Sequence, residues 1–145
     1  MPAFEPVTTI DELLALPEDG LRHELLAGNH VVTPAPRPNH ERIVSRLSSH
    51  IMRAVGGRTD LDVFTRSDIH LREDTLVEPD LVLLRTDPVT PFRQWAEAPV
   101  PLLAVEVLSP STAARDRGIK RRLYLEAGVE EYWIVDVDAR VVERW

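Results

Sequence analysis

The sequence predicts an α/β (α+β) domain with a central mixed β-sheet flanked by helices, and three stretches carry that prediction. Leu102–Asp136 reads as strand, helix, strand, a unit whose two strands run parallel through a right-handed crossover. Leu61–Leu84 alternates in three successive strands, an antiparallel meander. Between that meander and an N-terminal hairpin, Ile43, Val44, Leu47, Ile51 and Val55 recur at helical spacing.

Taken in order, Thr9-Ile10-Asp11-Glu12 has the form of a capping box opening a short helix that Pro17 stops. Arg22–Leu26 and His30–Thr33 flank Ala27-Gly28-Asn29, a β-hairpin with its turn at Gly-Asn. After Pro34, Pro36 and Pro38, a helix runs from about Asn39 to Val55 and ends at Gly56-Gly57. The meander closes with Leu81–Leu84, whose entry is Pro79-Asp80, since proline is tolerated at the first residue of a strand. Residues 85–101 carry Pro88, Pro91, Pro99 and Pro101 and read as a loop that borders the site with Phe92 and Trp95. Ser109–Thr112 supplies a turn and a cap for a helix reaching about Ala127, where Gly128 closes it, with Ile119, Leu123 and Ala127 as its buried stripe. Glu130–Asp136 and Val141–Trp145 are the last strands. The chain ends inside the second, which we read as one domain, residues 1–145, lacking a short C-terminal extension.

A chain of 145 residues supports one core. No membrane span or signal peptide is visible, and cysteine is absent, which removes disulfides, thiolate metal sites and Cys nucleophiles. A cytoplasmic protein is expected. The net charge of -7 argues against non-specific nucleic-acid binding over the whole surface. One basic run, Arg115–Arg122, stands apart from it, either as a local site with Arg115, Arg117 and Arg121 as phosphate contacts or as a solvated helix face.

Two acids are anomalous. Glu106 interrupts the otherwise apolar run Leu102–Leu108, and Asp80 opens Leu81–Leu84. An isolated carboxylate in a strand buried on both faces costs several kcal/mol or neutralises itself, so each needs a cation, a metal or hydrogen bonds. If the strands are neighbours, the two acids can share one Mg²⁺ or Mn²⁺ ion. Lys120 is the only lysine in a chain that otherwise uses arginine for positive charge. Its compact ammonium can hold a water or a phosphate, or it makes an i,i+4 pair with Asp116. Asp116, Lys120 and Tyr124 share a helix face, which lets Lys120 look back toward the end of the Glu106 strand with the other two supporting it. Glu24, in the hairpin, is either a further metal or water ligand or an exposed edge-strand residue. His40, in a helical first turn, is either a phosphate contact or a surface residue near a cap.

Pro79-Asp80, then Glu106 within an apolar strand, then a lysine, is an order that resembles the PD-(D/E)xK nucleases with their restriction-endonuclease-like core. HELLAGN, PDLVLL and VEVLSPSTAARDRGIKRRLYLEAGVEEYWIVD are similar to the Uma-type putative restriction endonucleases over about Leu13–Trp145. The resemblance implies metal-assisted hydrolysis of phosphodiester bonds in DNA, with Asp80, Glu106 and the carbonyl of Val107 on Mg²⁺ or Mn²⁺. Leu108 stands where the superfamily has its lysine, and the resemblance implies that Lys120 takes over that place from the next helix. It also gives Glu24 and His40 weight as site residues. Two-strand cutting is simplest with two sites, so a homodimer is compatible with this reading. Two other readings stay open: a nuclease-fold module that binds nucleic acid or regulates without cutting, and a purely structural network of Glu106 with Arg115 or Lys120.

Overall fold

The structure, a computed structural model, describes residues 5–145. Helix α1 (Ile10–Leu14) starts at Thr9, whose hydroxyl accepts the Glu12 N–H while the Glu12 carboxylate accepts the Thr9 N–H, the expected capping box. Strands β1 (Arg22–Leu26) and β2 (Asn29–Thr33) form the hairpin. Its turn is Ala27-Gly28 rather than Gly-Asn. Both residues are left-handed, φ 50° and 77°, as a two-residue turn matching strand twist requires. Asn29 instead lies in β2 and donates from Nδ2 to the Leu26 and Ala27 carbonyls. Helix α2 (Pro38–Val55) begins on proline and stops at Gly56, φ 66°, close to the bounds its periodicity predicts.

The expected meander is not formed. Strands β3 (Leu61–Phe64), β4 (Ile69–Arg72), β5 (Thr75–Val77) and β6 (Leu81–Arg85) divide between two sheets, β3 pairing with β6 and β4 with β5. The chain leaves one sheet for the other across Thr65–Asp68, where Arg66 is left-handed and Ser67 is buried. Period-two alternation specifies which faces a strand buries but not which strand it meets, so the sequence pattern could not separate the two.

After a single 3₁₀ turn at Trp95–Glu97 comes β7 (Leu103–Val107), then α3 (Ala113–Arg115), a π-helical turn (Asp116–Lys120) and α4 (Arg121–Glu126) in one continuous rod, then β8 (Glu131–Asp136) and β9 (Val141–Arg144). Thr112 precedes α3 without capping it. Its hydroxyl accepts the Ser109 N–H instead. The sheets run β2-β1-β5-β4 and β3-β6-β7-β8-β9, and only β7 and β8 are parallel, which makes the larger sheet mixed. All five residues of β7, the central strand, are buried.

Three apolar layers hold these elements. Ile51 of α2 covers Leu81, Leu103 and Val105 on one face of the larger sheet. On its other face Val82, Leu84, Ala104, Tyr132 and Ile134 meet Leu123 and Tyr124 of α4 together with Leu26 and Val77 of the smaller sheet. Leu13 of α1 closes the far side against Leu25 and Leu76. Two glycines of the rod test this account in opposite directions. Gly128, φ 87°, sits where an L side chain is strained, and Gly128→Ala should cost about 1–2 kcal/mol. Gly118 is helical, exposed and clear of neighbours, and Gly118→Ala should stabilise by about 0.5–1 kcal/mol. Urea unfolding of both variants measures the signs; a stabilised Gly128→Ala would refute the left-handed terminus.

Candidate active site

A cleft of about 710 Å³ opens between the hairpin, the start of α2 and the rod, and Glu24, Asp80, Glu106, Asp116 and Lys120 all line it. Each arrives by a local rule. Glu106 projects from the central strand, and Asp80 lies one residue before β6, whose register pairs Leu81 with Val105. That juxtaposition lets the Val107 N–H donate to Asp80 Oδ2 at 2.7 Å. On β1, Arg22, Glu24 and Leu26 share one face by strand alternation. Asp116 and Lys120 in the π-helical turn and Tyr124 in α4 follow one another at four-residue spacing on one face, and all three are buried. The inner stripe of the rod is therefore polar at its start, and Ile119 and Ala127 are only partly buried.

Lys120 is 1% exposed, with its Nζ 2.7 Å from Glu24 Oε1 and 2.5 Å from Glu106 Oε1. Tyr124 Oη donates to that same Glu106 oxygen at 2.9 Å, and the Glu78 N–H donates to Glu24 Oε1 at 2.8 Å. The pairing of Lys120 with Asp116 is not its main contact. Asp80 has separate partners: Arg22 Nη2 on Oδ1 at 2.8 Å, and His40 Nε2 on Oδ2 at 3.1 Å.

Of the expected phosphate contacts, Arg115 lines the cleft, donates to Thr33 Oγ1 at 2.8 Å and keeps a buried Nε with no partner among the described residues. Arg117 reaches the rim, but its guanidinium is bound to Asp136 and Glu143, both at 2.8 Å. Arg121 lies outside the cleft and stacks on Trp145, 4.2 Å from the ring centroid, because the helix turns it toward β9. Phe92 and Trp95 do not border the cleft either. They pack on Phe64 with ring centroids 5.9 and 5.2 Å away. Val107, whose carbonyl the resemblance offers to a metal, donates its N–H to Asp80. Arg22 is the residue the sequence reading passed over, and its signal was present: two positions before Glu24 on a strand, it must share that acid's face.

The acids outnumber the permanent cations. Glu24, Asp80, Glu106 and Asp116 are buried around Arg22 and Lys120, with His40 beside them. Burial, only partly offset by Lys120, and the neighbouring acids Asp116, Asp80 and Glu24 push the Glu106 carboxyl up to about 8. Burial and Asp68 raise Glu78 to about 7, and burial also raises Asp116. Asp80 goes the other way: against its burial, the His40 hydrogen bond and the Arg22 charge hold it at about 2. The Asp80 hydrogen bond raises His40 in turn. Lys120 would be lowered by burial alone, but Glu106, Glu24 and Asp116 hold it above its ordinary value.

Among the described residues no three acids or histidines gather at metal-ligand spacing. Mg²⁺ commonly takes one or two carboxylates and leaves the rest of its octahedron to water and phosphate, so Asp80 and Glu106 suit it as a donor set. Surplus buried negative charge at the end of a cleft is a setting that a divalent cation relieves.

Two measurements follow. Lys120→Met should lower stability by about 3–5 kcal/mol in urea unfolding, because Glu24 and Glu106 lose their buried counter-ion; a variant as stable as wild type would mean that the ammonium is not their partner. In EDTA, the folded chain keeps protons on Glu106, Glu78 and His40 that the unfolded chain has released, so stability should fall as pH rises from about 5 to about 8. Glu106→Gln should flatten that fall, whereas a urea midpoint that rises over the interval would contradict the shifts.

The family described as Uma2, putative restriction endonuclease, matches residues 10–145. No curated protein matches the chain. Among solved structures, a putative nuclease belonging to DUF820 from Anabaena variabilis superposes with a TM-score of 0.77 at 23% identity. The match covers 94% of this chain and 78% of the other, so the two share a fold.

Proposed function

This chain belongs to the Uma2 family of putative restriction endonucleases, and we propose that it is a metal-dependent endonuclease that hydrolyses phosphodiester bonds in DNA. The observation that supports this most is the meeting of Glu24, Asp80, Glu106 and Lys120, from four separate segments, along one open cleft. Asp80 and Glu106 would hold Mg²⁺ or Mn²⁺, beside the Val107 backbone. Bound there, the cation supplies Lewis acidity, which lowers the pKa of water and offsets charge on phosphoryl oxygens.

The chain's own side chains supply the rest. The Lys120 ammonium orients the attacking water for in-line displacement and stabilises negative charge growing on the phosphate, and no covalent nucleophile is needed. Glu24 positions Lys120 by accepting its proton bond at 2.7 Å, and the Tyr124 hydroxyl fixes the rotamer of Glu106. His40 holds Asp80 ionised and aimed. Arg115, on the cleft wall, is the cation assigned to a substrate phosphate.

One observation favours a second reading, a nuclease-fold module that binds nucleic acid without cutting it. Both Asp80 oxygens already accept hydrogen bonds and the Lys120 ammonium already lies against both Glu24 and Glu106, so the network satisfies itself. Supercoiled-plasmid nicking separates the two. With Mg²⁺ or Mn²⁺ the wild type should nick, EDTA should abolish nicking, and Glu106→Gln should lose at least about a hundredfold. Residual activity equal in wild type and Glu106→Gln would contradict the endonuclease. Calorimetry without DNA should show Mn²⁺ uptake by the wild type and none by Asp80→Asn combined with Glu106→Gln.

A further inference from the structure

Arg22 is the group whose position the proposed hydrolysis leaves unexplained. Its guanidinium is half-buried, 2.8 Å from Asp80 and 3.8 Å from Glu78. It therefore sits on the very carboxylate assigned to the divalent cation. Arginine cannot shed its proton, so its charge persists whatever binds beside it. A guanidinium and a divalent cation on one carboxylate repel each other strongly where water is scarce. One of them must find another anion.

The structure offers Arg22 room to do so. It lines the main cleft and also a smaller polar cavity of about 230 Å³ on the α2 side, whose walls include Ser45, Ser48, Thr65 and Arg66. Among the described residues, only Arg22 and Asp80 line both cavities. The pair stands between the two cavities, and Arg22 belongs to none of the apolar clusters that hold the fold. A phosphodiester oxygen is the anion that a planar, five-donor cation pairs with best, and the proposed substrate brings it to this place.

We infer that Arg22 is an exchangeable counter-ion: in the free protein it neutralises Asp80, and when a divalent cation takes that carboxylate it transfers to a phosphate of the nucleic acid. The inference rests on the endonuclease reading. Its consequence is linkage, because cation and polynucleotide each remove the obstacle to the other and so bind with positive coupling. Without nucleic acid, Arg22 competes with the cation. With nucleic acid, it helps to hold the substrate.

The test uses calorimetric titration of Mn²⁺ without DNA, and fluorescence anisotropy of a labelled 16-base-pair duplex with Ca²⁺ in place of Mn²⁺. Arg22→Gln should bind Mn²⁺ about tenfold more tightly than wild type and the duplex about tenfold more weakly. Arg22→Lys keeps the charge and a smaller structural change. It should match wild type for Mn²⁺ within about threefold while still losing duplex affinity, since a point charge cannot reproduce the paired donors. If Arg22→Gln does not fold, Arg22→Lys decides alone, and unchanged duplex affinity there overturns the inference. Wild type that binds Mn²⁺ while Arg22→Gln binds it equally or more weakly overturns the counter-ion exchange and leaves the endonuclease standing. Wild type that binds no Mn²⁺ overturns both.

Discussion

The Lys120 ammonium ties three parts of the chain, the rod and one strand from each sheet, at a single buried point. It comes from the rod, donates to Glu24 on β1 of the smaller sheet, lies against Glu106 on β7 of the larger, and is almost fully buried among them. Apolar side chains of similar volume would close this junction at no desolvation cost, and buried ion pairs seldom stabilise a fold better than such packing. The arrangement is therefore an expensive way to build a junction and a direct way to hold a charged group at a fixed point. The same reasoning covers Glu106. A central strand with five buried residues gains nothing structural from a carboxylate whose pKa is forced to about 8. Both groups are explained by what lies in front of them, the open cleft, rather than by what they hold together.

The charge imbalance gives the cleft its chemistry. Arg22 and Lys120 offset part of the buried acid but not all of it, and the remainder appears as protons retained on Glu106 and Glu78 and as a raised Asp116. On the endonuclease reading, a site in that condition would exchange protons for a cation as pH rises. Metal affinity, proton release and stability are then three expressions of one electrostatic balance.

Much of the fold was legible because the signals were local. The capping box at Thr9, the apolar stripe of α2, Gly128 at the end of the rod and the parallel β7–β8 unit each follow from a few neighbouring residues. The division of the chain into two sheets was not legible. β3 and β4 look alike in sequence, and their separation depends on the left-handed turn at Arg66 and on partners far along the chain. The hairpin turn was misplaced by one residue because Gly-Asn and Ala-Gly are both turn-compatible, and twist decides between them.

The candidate site was legible in proportion to how anomalous its members are. A glutamate in an apolar strand, an aspartate behind a proline and a solitary lysine all call for partners, and the structure brings them to one cleft. Arginines stand out less in an arginine-rich chain, so Arg22 was passed over despite sharing a strand face with Glu24, and Arg121, held against Trp145, was placed in the site. The π-helical turn over Asp116–Lys120 has no sequence signature of its own, although four-residue spacing alone put Asp116, Lys120 and Tyr124 on one face. The central claim is that this acid surplus seats a divalent cation between Asp80 and Glu106. A crystal soaked in Mn²⁺ tests it most directly: the account predicts an anomalous peak bridging those two carboxylates. A crystal with Mn²⁺ only at surface acids such as Asp60 or Asp74, and none in the cleft, would contradict it.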